Sequence, residues 1–188
     1  MKYIATVGLM LTLGAAGVSA QQVPVKMTFS GTAANSVINL QQPNSSMDED
    51  NFAGNGTLGS FTVRNVRSLP NSPTPSDTCS GPTLLHFTET LGGGVVRFRD
   101  GSLLYLNLTQ GDDCIDLSIG EADCLLTFQI AGGTGRFKTA SGTLTMSEKA
   151  LPVLSDAFGN PVLYAATGEF SGTVSGVAAS DEPDGDQQ

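Results

Sequence analysis

Apolar and polar residues alternate with a period of two over much of the chain, the repeat of strands with one wet face. Val25, Met27 and Phe29 alternate with Lys26, Thr28 and Ser30, which predicts a first strand over residues 23–33. Residues 57–69 repeat the pattern, with Phe61, Val63 and Asn65 on one face and Thr62, Arg64 and Val66 on the other. Three more strands are expected at 83–90, 95–99 and 102–109, separated by Gly92-Gly93-Gly94 and Asp100-Gly101, both with turn chemistry. Runs at 114–118, 124–131, 142–149 and 163–174 complete the set. Two stretches interrupt it. Residues 35–55 are polar, with Pro43 and the acidic Asp48, Glu49 and Asp50, and read as a long surface loop. Residues 70–82 hold four prolines and Cys79 and read as an irregular connection, of a length that often lies over a site. No run keeps a helical period, so the pattern predicts an all-β chain, closed or sandwiched.

One corner stands out for its glycines. Gly132, Gly133, Thr134, Gly135, Phe137, Ala140 and Gly142 fall between an apolar run and an alternating one. Glycine at this density permits positive φ and close strand approach, so the stretch reads as a kinked turn with Phe137 plugging one end of a β-core. It is not a phosphate loop, because no Gly-Lys-Ser/Thr step and no amphipathic helix follow it.

The spacing Gly-Gly-Thr-Gly-x-Phe-x-x-Ala-x-Gly, residues 132–142, resembles the signature of the allene oxide cyclase and dirigent-like β-barrels, which many secreted bacterial proteins of unassigned role share. Phe98-Arg99-Asp100-Gly101-Ser102-Leu103-Leu104 resembles the hairpin entering an earlier barrel strand, and Gly168-Glu169-Phe170-Ser171-Gly172-Thr173-Val174 the closing strand. The resemblance covers residues from about 24 to 176 and implies a single antiparallel β-barrel of about eight strands. It also implies a fold whose members often self-associate, so a homo-oligomer is a candidate assembly. Ser141 stands where plant dirigent proteins often carry a basic residue, and no residue here matches the cyclase carboxylate. Neither activity is carried over.

Address and charge narrow the picture. Lys2, an apolar run over residues 4–18 and the small residues Val18-Ser19-Ala20 read as a secretory signal peptide, cleaved before Gln21. The expected division is a signal at 1–20, a barrel domain at 21–178 and a disordered acidic tail at 179–188. A formal net charge of −9 without a basic patch argues against nucleic acid and anionic bilayers as partners. After export three cysteines remain. Cys114 and Cys124 flank a hairpin whose centre would fall near Ile119, which favours a disulfide between them; a bridge from either to Cys79 is the alternative.

The candidate chemistry is sparse. Asp112, Asp113, Asp116, Glu121 and Asp123 read as a solvated hairpin tip, since they lack the regular calcium-loop spacing, and no metal or cofactor is expected. His86 is the chain's one histidine. Glu89 shares a strand face with Leu85 and Phe87, which suits either a barrel mouth or a buried pair. Arg97 and Arg99 share a face on the next strand and are candidate partners for Glu89. Leu104, Leu106 and Leu108 line a core, and Tyr105 lies on the opposite face. His86, Glu89, Arg97, Arg99 and Tyr105 are therefore the candidate ligand contacts, with no catalytic residue assigned. The expected function is an exported barrel binding a small apolar molecule in or at its mouth. The alternatives are a cyclase or isomerase acting on a lipid-derived or phenolic substrate, and a non-catalytic, self-associating barrel.

Overall fold

A computed structural model describes residues 21–36 and 44–178, and nine strands account for most of them. They are β1 (Val23–Ser36), β2 (Ser45–Gly56), β3 (Phe61–Pro70), β4 (Leu84–Glu89), β5 (Gly92–Phe98), β6 (Leu103–Asp116), β7 (Glu121–Gly133), β8 (Ser141–Ser155) and β9 (Pro161–Ser175). All pairings are antiparallel. The ring runs β6–β5–β3–β2–β1–β9–β8–β7, and β7 returns to β6 to close an eight-stranded barrel. Closure leaves no open edge among those eight.

The ninth strand extends one of the eight. Leu84 pairs with Asp116 and Glu89 with Gly111, and the same count continues from Gly93 with Asn107 to Arg97 with Leu103. β4 and β5 are thus two halves of one strand line, interrupted at Thr90 and Leu91. Opposite the interruption, β6 shifts register against β7 between Leu108 and Gln110. A bulge inverts which residues face inward. Leu104, Leu106 and Leu108 are buried before it, Gly111 and Asp113 after it. On the paired line Glu89 and Phe87 are buried on one side of the break, and Val96 and Phe98 on the other. The barrel therefore has two ends with different interiors.

One end is packed with aromatics. Phe29 stacks on Phe52 with centroids 4.5 Å apart, and Phe61, Phe128 and Phe170 fill in around them. The 3-10 turn at Gly135–Phe137 carries Phe137 inward against Phe98, 4.7 Å away, and Arg136 lies over both rings. Phe137 has no exposed surface. Each such phenylalanine contributes roughly 1.5–3 kcal/mol by leaving water. Gly135 has a φ of +56°, and a Cβ there would stand 2.4 Å from the Ser102 hydroxyl, so the corner both needs the left-handed conformation and tolerates no side chain.

Two expected boundaries are corrected. Residues 45–56, read as loop because of their acids, form β2. Gly92-Gly93-Gly94 does not turn the chain but opens β5. A Cβ at Gly92 would stand 2.9 Å from the Arg67 Cβ, so the glycine lets β5 lie flush against β3 where Arg67 points inward.

Candidate functional site

Beyond the aromatic end, the alternation of β3 runs through Phe61, Val63 and Asn65 to Arg67, which is 3% exposed. Four strands aim carboxyl groups at its guanidinium. Nε donates to Asp50 of β2 at 3.2 Å, and Nη1 donates to Glu89 of β4 at 3.1 Å and to Asp113 of β6 at 3.3 Å. Nη2 reaches Glu148 of β8 at 3.5 Å. Asn65 donates to Asp50 at 3.0 Å. Asp48, two residues before Asp50 on β2, points the same way. Gly111 makes room for the cluster, since a Cβ there would meet the Glu89 Cβ at 2.9 Å.

Five carboxyls surround one guanidinium. Fully ionised, the group would carry a net charge of −4 inside the barrel, which burial strongly opposes. The acids retain protons instead. Burial pushes Glu89 up to about 10, Glu148 up to about 8 and Asp48 up to about 7, although Arg67 pulls each back. Burial raises Asp50 as well. Burial works against the charge on Arg67, but Asp50, Asp113 and Glu89 outweigh it and hold the guanidinium well above its ordinary value. Among the described residues, Glu89 Oε2, Glu148 Oε1 and Asn65 Oδ1 are buried without a hydrogen-bond partner.

Above this band lies a cavity of about 40 Å³. Arg67, Asp48, Asp113 and Cys124 form its polar floor, and Ala33, Leu69, Ile115, Ala122, Ala150 and Tyr164 form its walls. The half-buried Tyr164 has its pKa raised by burial and then by Asp48. Burial and the neighbouring Asp113 push the Cys124 thiol well up, so it stays protonated. The arrangement offers a guanidinium donor, a phenol and a carboxyl that titrates near neutrality, all facing one small space.

Of the candidate ligand contacts read from the sequence, Glu89 alone enters this cluster. Asp113, expected on a solvated hairpin tip, is instead buried in it because the bulge in β6 turns it inward. Arg97 is exposed on the outer face of β5 and Arg99 is exposed in the turn that follows it, so the two do not share a strand face and neither pairs with Glu89. The reason is the break at Thr90 and Leu91: Glu89 before it faces in, while odd-numbered Arg97 after it faces out. His86 also faces outward, with Nε2 3.1 Å from Asp112 and Nδ1 2.9 Å from the Thr74 hydroxyl in the connection that covers it. Tyr105 lies opposite Val95 on the outer face. The glycine corner, Gly132 to Gly142, sits at the aromatic end, away from the cavity.

The disulfide is Cys79–Cys114, with Cα atoms 5.6 Å apart, and not the expected Cys114–Cys124. In the β6–β7 hairpin Cys114 faces Asp123 and Asp113 faces Cys124. The hairpin centre falls between Ser118 and Ile119, half a residue from the position assumed. That offset puts the two cysteines on opposite faces. Cys114 points out toward Cys79, and Cys124 points in, free and buried.

Arg67, Asp48, Asp50, Asp113 and Glu148 were not recognised from the sequence as site residues. The signal was available in two of them. Arg67 continues the inward phase of Phe61, Val63 and Asn65, and Glu148 continues that of Leu144 and Met146. A charge in the apolar phase of a strand is an interior charge.

No family model matches the chain, and no curated protein matches it. Among solved structures, a pterocarpan synthase dirigent protein is similar, at 11% identity and a TM-score of 0.37, over 89% of this chain and 99% of that one.

Proposed function

We propose that the barrel binds one end of a small, mostly apolar molecule in the cavity at its charged mouth. The observation that carries this reading is the cavity itself: apolar walls over a floor of Arg67, Asp48 and Asp113. Ligand sites combine apolar lining with a few convergent polar groups in this way. Its volume admits only a few ligand atoms, and the aromatic end is filled by side chains. The rest of the molecule would lie across the rim, where Leu117, Ile119, Leu151 and Leu154 are exposed on the β6–β7 and β8–β9 hairpins. The ligand would thus present a hydroxyl, carbonyl or carboxyl inward and its apolar body to those tips.

The enzymatic alternative uses the same space. Asp48, near pH 7 in its protonation midpoint, has the pKa suited to a general acid or base. It would shuttle a proton in an isomerisation of the bound molecule. The disulfide supports export to an oxidising compartment. The expected signal at 1–20 and tail at 179–188 lie outside the described residues.

A fluorescent fatty acid or anilinonaphthalene titration tests the binding reading. Wild type should bind saturably, and Ala150→Leu or Ala122→Leu, which project into the cavity, should abolish binding while circular dichroism stays unchanged. Arg97→Gln with Arg99→Gln, both exposed and outside the cluster, should bind as wild type does. Absence of saturable binding, or equal affinity in the cavity-filling variants, contradicts the proposal.

A further inference from the structure

Asp48, Glu89 and Asp113 each place a carboxyl oxygen so that the three lie within 4.8 Å of one another. Two oxygens ligating one Ca²⁺ at 2.3–2.6 Å stand at most about 5 Å apart, so this spread is that of atoms sharing a hard cation. Close acidic groups alone would not argue for an ion. Two further features do. Asp48 is half-buried and lines the cavity, yet it makes no hydrogen bond or ion pair among the described residues. Glu89, with no exposed surface, gives Oε1 to Arg67 and leaves Oε2 without a partner. An enclosed polar group without a partner is strongly unfavourable unless something else meets it.

We infer that this cluster is a binding site for a divalent cation of the calcium class, held by Asp48, Glu89 and Asp113 with cavity water completing the shell. Two positive charges would bring the fully ionised interior from −4 to −2. All three donors are oxygen, which selects a hard ion. Sulfur and imidazole do not contribute: the Cys124 thiol stays protonated, and His86 lies outside the barrel. Calcium suits the space better than magnesium. A cavity of about 40 Å³ holds only a few waters, whereas magnesium retains several in a regular octahedron. Arg67 remains beside Asp50 and Glu148, the carboxyls left to it. Binding would drive protons off the ligands. The inference does not rest on the apolar-ligand reading, because its test contains no organic molecule.

The experiment is a calorimetric titration of chelator-stripped protein with CaCl2 alone at about pH 7.5, repeated in buffers of different ionisation enthalpy. Saturable uptake of one ion per chain, with proton release and a melting temperature that rises with calcium, is the expected result. Asp48→Asn leaves every partner of Arg67 in place and should weaken affinity by at least about tenfold. Should that variant not fold, Mn²⁺ added to the wild type should broaden the amide resonances of Asp48, Glu89, Asp113 and Cys124 first. Three results would overturn the inference: no saturable binding up to about 10 mM, which exceeds the range of such sites; unchanged affinity in folded Asp48→Asn; or broadening centred on Glu121 and Asp123 at the exposed hairpin.

Discussion

Nη1 of Arg67 lies 3.1 Å from Oε1 of Glu89, and both side chains are sealed from solvent. The contact joins β3 to β4 across the point where the strand line breaks. Because the same guanidinium also meets Asp50, Asp113 and Glu148, its removal strips the positive charge from five carboxyls at once. Arg67→Met should cost about 3–5 kcal/mol at pH 8. The loss should shrink at pH 5, where Glu89, Glu148 and Asp48 hold their protons and fewer charges are left unbalanced. Urea melts of both proteins at the two pH values read this directly; an equal loss at both would show that Arg67 acts by packing rather than charge.

Stability should fall as pH rises. The folded acids Glu89 and Glu148 titrate at about 10 and about 8 against an ordinary 4.5, and Asp48 at about 7 against 3.8. Raised pKa values mean that the native state holds more protons than the unfolded state, so the slope of unfolding free energy with pH is negative. The contribution is fully present below about pH 4 and is lost progressively through pH 7, 8 and 10. Asp100, whose pKa is lowered chiefly by the Ser102 backbone amide and Arg136 against a burial effect, acts oppositely and only on the acid side. The melting temperature should therefore peak in mild acid. A maximum at pH 8 or above would contradict the cluster's protonation.

The disulfide assignment has a measurable cost. Cys79 and Cys114 close a loop with a sequence separation of 35, for which chain entropy gives about 4 kcal/mol. Cys114→Ser should lose an amount of that order. Peptide mapping after alkylation without reduction should label Cys124 alone, and only once the protein is unfolded. A bridge containing Cys124 would place that residue outside the barrel.

Phe137→Ala should be among the most damaging single changes at the aromatic end. The ring is fully buried against Phe98, and Arg136 stacks on it while donating to the Leu58 carbonyl. Truncation should cost roughly 3–5 kcal/mol. A calorimetric melt unchanged from wild type would mean that the corner does not seal the barrel.

The all-β class was legible from local alternation and the inward Phe137 from glycine chemistry. Alternation left closed and sandwiched sheets open, and only the resemblance of the Gly132–Gly142 corner pointed to an eight-stranded closure. The charged end was not legible, for three physical reasons. Asp48 and Asp50 lie in a run of acids that reads as solvent-exposed, and only Arg67, seventeen residues beyond Asp50, makes burial tolerable. Asp113 faces inward because of the bulge at Leu108–Gln110, and a bulge leaves no mark in a period-two pattern. Glu89 was recognised as an acid on an apolar face, but the break after it reversed the side on which Arg97 emerges. A half-residue error in a hairpin centre likewise exchanged the partner of Cys114. Local pattern specifies faces within a strand; which charges meet inside is decided by register across strands.

The barrel encloses more carboxyls than the buried guanidinium of Arg67 can balance, so protons remain on Glu89 and Glu148 at neutral pH. Carbon-detected NMR titration of the side-chain carboxyls measures this directly. Glu89 should keep its proton until about pH 10, with midpoints near 8 for Glu148 and near 7 for Asp48. If all three instead titrate in the ordinary carboxylate range, at about pH 4–5, the cluster is solvated and the charged interior described above does not exist.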